Sequence, residues 1–89
     1  MPAGGVKDCF MWWLYVKACE TEDLIVYHYS TESRDLDGEI VYNRKEEGWA
    51  VTRPSAKDQD NARRIGKTED NFRYVVEAGF PDRIMVGIG

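Results

Sequence analysis

The stretch F-M-W-W-L-Y-V-K-A-C, residues 10–19, is the most apolar segment of the chain, and it decides the fold. Apolar side chains occur on both parities of this segment. Trp12 and Leu14 fall on one side, and Trp13 and Tyr15 fall on the other. A strand that is apolar on both faces is typical of the interior of a sheet rather than its edge. We therefore expect residues 10–19 to form a strand with a neighbour on each side.

Three further strands follow this segment, separated by polar turns. Residues 24–30 (L-I-V-Y-H-Y-S) are rich in β-branched and aromatic residues and form a hairpin with the first strand. A polar loop that ends in the turn-forming pair Asp-Gly at 37–38 comes next. Residues 39–45 and 49–53 then form a second hairpin, with Gly48 in its tight turn.

A helical segment connects the fourth strand to the last one. Pro54 ends the fourth strand because it has no N–H to donate to a sheet, and Ser55 is placed to cap a helix. Apolar residues at mostly helical spacing continue to Gly79, which suits the left-handed position that ends a helix. Since Gly66 interrupts the pattern, the segment is either one bent helix or two helices broken near Gly66. Residues 83–88 form the last strand.

These elements predict an α+β fold, a mainly antiparallel β-meander with one helical segment packed on one face of the sheet. The first strand gains most from two neighbours, so the last strand is placed antiparallel beside it, which gives the order 4-3-2-1-5. A complete break at Gly66 that folded the helical halves back would reverse the last strand and undo this order. Residues 1–9 are assigned as a flexible lead-in and residues 10–89 as a single domain. The expected core contains Leu14, Val16, Ile25, Ile40, Phe72, Val76 and Ile84.

The composition argues against nucleic acid and membrane as partners. The formal net charge is −4, whereas binding to phosphates requires an excess of Lys and Arg. The apolar run is too short to cross a bilayer, since a spanning helix needs about 20 residues. Cys9 and Cys19 are too few for a disulfide framework, so a reduced protein of the cytoplasm is expected.

No motif in the sequence predicts a catalytic residue, a cofactor or a metal site. Asp35 and Asp37 fit part of a calcium-loop pattern, but Arg44 stands where that loop needs a bidentate glutamate. His28 is the only histidine, so a zinc site that needs two or three imidazoles is excluded. The glycines form no phosphate-binding or dinucleotide-binding pattern. An enzyme is therefore the less favoured reading.

The first hairpin supplies a candidate interaction surface, formed by Trp13, Tyr15, Val26 and His28. With an even-numbered hairpin loop, these four side chains share one face of the sheet, and Leu14, Val16, Ile25 and Tyr27 share the other. An odd-numbered loop shifts the pairing of the two strands by one residue and so changes which side chains share a face. One helical segment covers only one face, so the other face binds a partner unless the N-terminal residues or long side chains shield it.

Two functions of different classes fit this surface. The favoured one is a non-catalytic interaction module, a homodimer or a binder of another protein, that uses the open sheet face or an exposed strand edge. The alternative is a small-molecule-binding protein or minor enzyme with a pocket around His28, Trp13 and Tyr15. A continuous apolar patch favours the first function, and a cleft with convergent polar groups favours the second.

Overall fold

The structure is a computed structural model that describes residues 11–88, apart from the side chain of Ile88. The lead-in assigned to residues 1–9 lies outside the described residues, as do Phe10 and Gly89. The strands are β1 (Met11–Glu20), β2 (Leu24–Thr31), β3 (Gly38–Asn43), β4 (Gly48–Arg53) and β5 (Arg83–Ile88), and the helices are α1 (Ala62–Asn71) and α2 (Arg73–Glu77). No helix within this part of the chain has the length and apolar character needed to cross a membrane.

The predicted strand order is confirmed. The five strands form one sheet in the order β4-β3-β2-β1-β5, and each adjacent pair is antiparallel. β1 therefore has a neighbour on each side, as its apolar character on both faces predicts. Trp13 and Leu14, which point to opposite faces of β1, are 0% and 2% exposed. The α+β architecture follows from this sheet and the helical segment that precedes β5.

The helix begins later than the sequence predicts. Residues 56–60 form a hydrogen-bonded turn, and the cap of α1 is Asn61, whose side chain accepts a hydrogen bond from the Arg64 N–H at 3.1 Å. Ser55 was the expected cap, but its carbonyl oxygen only closes the preceding turn. Asp60 has a φ of 57°, a left-handed conformation that interrupts a right-handed helix.

The bend in the helical segment lies at Phe72 rather than at Gly66. Gly66 continues α1 without interruption, and Phe72 separates α1 from α2. The two helices together act as one bent helix, so β5 returns in the direction that the predicted order requires. The exit from this helix agrees with the sequence, since Gly79 has a φ of 83°.

The core lies between one face of the sheet and the bent helix. Its buried members are Trp13, Tyr15, Ile25, Tyr27, Tyr29, Ile40, Tyr42, Phe72, Val75 and Val86. Ile25, Ile40 and Phe72 are thus confirmed as core residues, and Val76 and Ile84 are partly buried against this cluster. Leu14 and Val16 were expected in this core but lie on the other face of the sheet. The pairing of β1 with β2 places Trp13 and Tyr15, not Leu14 and Val16, under the helix.

Candidate interaction surface

The register of the β1–β2 hairpin determines which side chains share a face. Tyr15 lies opposite Tyr29, and Val16 lies opposite His28. The register shifts between Lys17 and Cys19, where β1 carries an extra residue. Trp13 and Tyr15 therefore point to the same side as the tyrosines of β2 and lie beneath the helix. The other side, here called the open face, carries Leu14, Val16, Val26 and His28.

The four residues predicted to form one surface are consequently divided between two faces. Trp13 and Tyr15 are both 0% exposed, whereas Val26 and His28 are half-buried on the open face. The proposed pocket around His28, Trp13 and Tyr15 is wrong for the same reason, because the sheet itself separates His28 from the two rings. Of the four predicted residues, only Val26 and His28 are partly exposed to a binding partner.

Trp13 and Tyr15 hold α1 against the sheet. The Trp13 indole Nε1 donates to the Thr68 hydroxyl at 2.8 Å, and the Tyr15 hydroxyl donates to the Thr68 carbonyl at 2.9 Å. Burial raises the pKa of Tyr15, so its hydroxyl stays neutral and acts as a donor. Each polar atom of these rings is thus satisfied within the core, as buried Trp and Tyr side chains require.

A buried carboxylate lies next to this anchor. Asp58 is 0% exposed and accepts hydrogen bonds from the hydroxyls of Tyr29 at 2.9 Å, Thr31 at 3.1 Å and Thr68 at 2.6 Å. The Arg64 Nε lies 3.6 Å from its second carboxylate oxygen. Burial raises the pKa of Tyr29 to about 12, so this hydroxyl also remains a donor. The carboxylate has partners on every side and no exposure to solvent, so its role is to fasten the turn and α1 to the sheet.

The acidic loop before β3 is occupied by structural contacts. Asp37 accepts a hydrogen bond from the Ala56 N–H at 3.0 Å, which ties this loop to the turn after β4. Gly38 follows as the first residue of β3, where a Cβ atom would lie 2.4 Å from the Tyr29 ring. Within residues 11–88 there is no group of three or more His, Cys, Asp or Glu side chains that could hold a metal ion.

The open face has an apolar strip across its centre. Leu14 is buried, Val16, Val26 and Val41 are half-buried, and Met85, which lies on β5, is 51% exposed. A row across the sheet runs from Arg83 through Val16 and His28 to Glu39 and Arg53, so charged residues lie at both ends of this row. A cavity of about 370 Å³ lies beside β5, lined by Trp12, Arg34, Met85 and Gly87. The apolar strip therefore continues to the β5 side of the sheet.

At Val51, the β4 edge of the sheet is covered by α1. The Val51 N–H, which points away from β3, donates to the Glu69 carboxylate at 2.9 Å. The Trp49 indole N–H donates to the Glu69 carbonyl at 2.7 Å, and its ring lies 5.6 Å from that of Phe72. One residue of the helix thus satisfies two donors of the edge strand. A further strand is unable to pair at Val51 without displacing Glu69.

The β5 edge differs, because its outward peptide groups have no partner in the described part of the chain. The Lys17 N–H donates to the Asp82 carbonyl at 2.8 Å. This bond shows which residues of β5 point their N–H and C=O groups toward β1 and which point them away from it. Every second residue from Asp82 onward points its N–H and C=O toward β1. The residues between them, Arg83, Met85 and Gly87, point theirs outward and are exposed.

Arg83, Met85 and Gly87 were not singled out from the sequence, although a signal for them exists. The predicted order already places the last strand at an edge of the sheet. Edge strands are usually protected by prolines, several charges or a covering segment, and β5 carries only one charge, at Arg83. The sequence R-I-M-V-G-I at residues 83–88 therefore already indicates an edge strand without protecting residues.

Comparison with known proteins assigns no family. No protein family model, no curated protein and no solved structure matches this chain. The two sheet edges and the open face are therefore the features from which a function can be inferred.

Proposed function

We propose that this protein is a non-catalytic interaction module that binds by adding a strand of its partner to β5. The observation that carries the proposal is the difference between the two edges. The outward peptide groups of β5 have no described partner, whereas Glu69 covers those of β4 at Val51. A strand added at β5 supplies main-chain hydrogen bonds for affinity, and its alternate side chains supply specificity.

The side chains of β5 favour an apolar partner strand. Met85 is 51% exposed on the open face, and Ile84 is half-buried at the border of the core on the other face. An incoming strand covers both residues, and burial of apolar area stabilises by about 25 cal/mol per Å². The cavity that Trp12 and Arg34 line adjoins the same edge, so it is placed to receive a side chain of the bound strand.

The charge and the cysteine chemistry favour a protein partner inside the cell. The net charge of −4 disfavours nucleic acid, since phosphate contacts require a basic surface. Cys19 is a free, exposed thiol, which favours the reducing cytoplasm as the setting of this interaction.

A panel of short extended peptides with alternating apolar and polar residues tests this function. We expect the bound peptide to change the NMR shifts of the backbone amides of Arg83, Met85 and Gly87 and to leave Val51 unchanged. Met85→Pro removes an outward N–H without breaking the ladder to β1, so it should abolish binding. Met85→Leu keeps that N–H and is the matched control, which should bind like the wild type.

Shift changes confined to the β4 side of the sheet would contradict the proposal, and so would binding that Met85→Pro leaves intact. Absence of binding across the whole panel, at millimolar peptide, would also count against it, because main-chain pairing tolerates many side chains.

A further inference from the structure

We infer that the strand added to β5 is the β5 strand of a second copy, so that the protein forms a homodimer with one sheet continuous across a two-fold axis at Met85. This inference rests on the proposed function, since it uses the same edge and names its occupant. It is carried by three features of β5: the spacing of its outward peptide groups, its side-chain order and an edge that has no hydrogen-bond partner among residues 11–88.

The spacing of the outward peptide groups selects one register. Antiparallel pairing around Met85 places Met85 opposite its own copy and Arg83 opposite Gly87 of the second copy. All three outward residues of each strand are then engaged, which gives about six inter-strand hydrogen bonds. A shift of the register by two residues in either direction loses one of these pairs. The pairing also closes on itself, because a two-fold axis uses the same edge of both copies.

The side-chain order of β5 fits this register. Arg83 meets Gly87 of the second copy, so a long cation lies next to a residue without a side chain. The two arginines are four residues apart along the paired strands, about 13 Å. Met85 meets Met85 on the open face, and Ile84 meets Val86 on the helix-covered face. No like charges are directly opposed, and the central cross-strand pairs are apolar, the arrangement that stabilises adjacent strands.

The axis at Met85 is perpendicular to the sheet, so the two open faces lie on the same side of the dimer. The apolar strip of each copy then continues into that of the other through the two Met85 side chains. β5 has only six residues, so the pairing buries less than the roughly 1,600 Å² of a standard interface. We therefore expect a dimer that dissociates on dilution in the range of about 1 µM to 1 mM.

Analytical ultracentrifugation of the full chain across that concentration range tests the inference. The wild type should pass from monomer to dimer, and Met85→Leu should behave in the same way. Met85→Pro should stay monomeric with an unchanged circular dichroism spectrum, because the outward N–H at the axis is lost. Val41→Lys changes the open face away from β5 and should leave the dimerisation constant within a factor of about three.

A charge exchange tests the register itself. Gly87→Arg places two arginines opposite each other and should weaken the dimer at least tenfold, since like charges directly opposite repel. Adding Arg83→Glu to the same chain restores an opposite-charge pair and should recover most of the lost affinity. Recovery is specific to the register around Met85, because Arg83 and Gly87 face each other only there.

The outcomes separate this inference from the proposed function. A wild type that stays monomeric throughout, while extended peptides still shift the β5 amides, overturns the homodimer and leaves strand addition in place. A dimer that persists in Met85→Pro, or that Val41→Lys disrupts, shows pairing through another surface and also overturns it. A monomer whose β5 amides respond to no peptide removes both proposals together.

Discussion

The β4 and β5 strands occupy equivalent positions at the two edges of one sheet, yet their outward peptide groups meet different surroundings. At β4, Glu69 of α1 accepts the Val51 N–H through its carboxylate and the Trp49 indole N–H through its carbonyl. At β5, Arg83, Met85 and Gly87 face outward with no partner among residues 11–88. The comparison shows that one bent helix, placed after the fourth strand, covers the β4 edge at Val51 and, among residues 11–88, makes no hydrogen bond to the β5 edge.

The protection at β4 depends on contacts far from that edge. α1 is held over the sheet by Phe72, by the hydrogen bonds of Trp13 and Tyr15 to Thr68, and by Asp58. Glu69 reaches Val51 only because these contacts fix the position of α1. Two kinds of substitution should therefore reduce the difference between the edges. One loosens the contacts that hold α1 on the sheet, and the other removes the Glu69 side chain.

The largest effect is expected from Phe72→Ala, which removes the main apolar anchor of the helix. The Phe72 ring is 0% exposed and packs edge-on against Tyr15 at 5.6 Å and Tyr27 at 5.4 Å. Urea denaturation should show a loss of about 3–5 kcal/mol in the free energy of unfolding. Tyr74→Ala, at an exposed position of α2, is the matched control and should cost less than about 1 kcal/mol. A comparable small loss for Phe72→Ala would mean that the inner face of the helix is misassigned.

Asp58→Ala should have the next largest effect. The substitution removes the shared acceptor of the Tyr29, Thr31 and Thr68 hydroxyls. It also removes one of the two carboxylates that lie near Arg64, the other being that of Glu32. We expect a loss of about 2–3 kcal/mol, since buried groups without partners retain their desolvation cost. Asp70→Ala, on the exposed side of α1, serves as the control. Equal unfolding midpoints for the two variants would contradict a fastening role for Asp58.

Alkaline pH should weaken the same anchor through Tyr29. Its pKa is raised by burial from 10.0 to about 12, so the folded state favours the neutral hydroxyl. The stabilisation is fully present below pH 10, and it is lost as the pH rises from 10 toward 12, because the unfolded chain ionises first. Urea midpoints measured across this window should fall, and Tyr29→Phe should reduce the slope. An identical slope in that variant would assign the effect to other groups, with Tyr15 and Tyr27, whose pKa values are also raised by burial, as the first to test.

The smallest effect is expected from Glu69→Ala, which acts directly on the comparison between the edges. It removes the acceptor of the Val51 N–H and should cost about 1 kcal/mol. Hydrogen exchange at Val51 should accelerate toward the rate of the outward Met85 amide in the dilute protein. Glu69→Gln retains a side-chain oxygen as acceptor and should keep Val51 protected. Unchanged exchange in Glu69→Ala would show that the rest of α1 covers this edge without its carboxylate.

The sequence alone determined the strand order and the end of the helix. An apolar β1 requires a neighbour on each side, and a single helical segment returns the chain so that the last strand pairs antiparallel with it. Gly79 then ends the helix because glycine adopts a positive φ without a steric cost. These features depend on local pattern and connectivity, so they were readable before any contact was known.

The tertiary structure decided which side chains are available for binding. An extra residue between Lys17 and Cys19 sets the pairing of the first hairpin, and a change of one residue moves Trp13 and Tyr15 from the surface to the core. Of the four residues expected at the surface, only Val26 and His28 lie on the open face. Strand parity depends on the exact position of this extra residue, which the polar turn at residues 20–23 does not specify.

The start and the bend of the helix were also fixed by packing rather than by sequence signals. Ser55 has the chemistry of a cap, but Asp58 turns inward to accept hydroxyl donors from β2 and α1, so the helix starts after Asn61. Gly66 has the freedom to bend, but the bend lies at Phe72, whose ring is drawn into the aromatic cluster of the sheet. Local propensity indicates where a helix can start or bend. The contacts across the core decide which of these positions is used, because burial and hydrogen bonding there outweigh differences of about 1 kcal/mol in helix propensity.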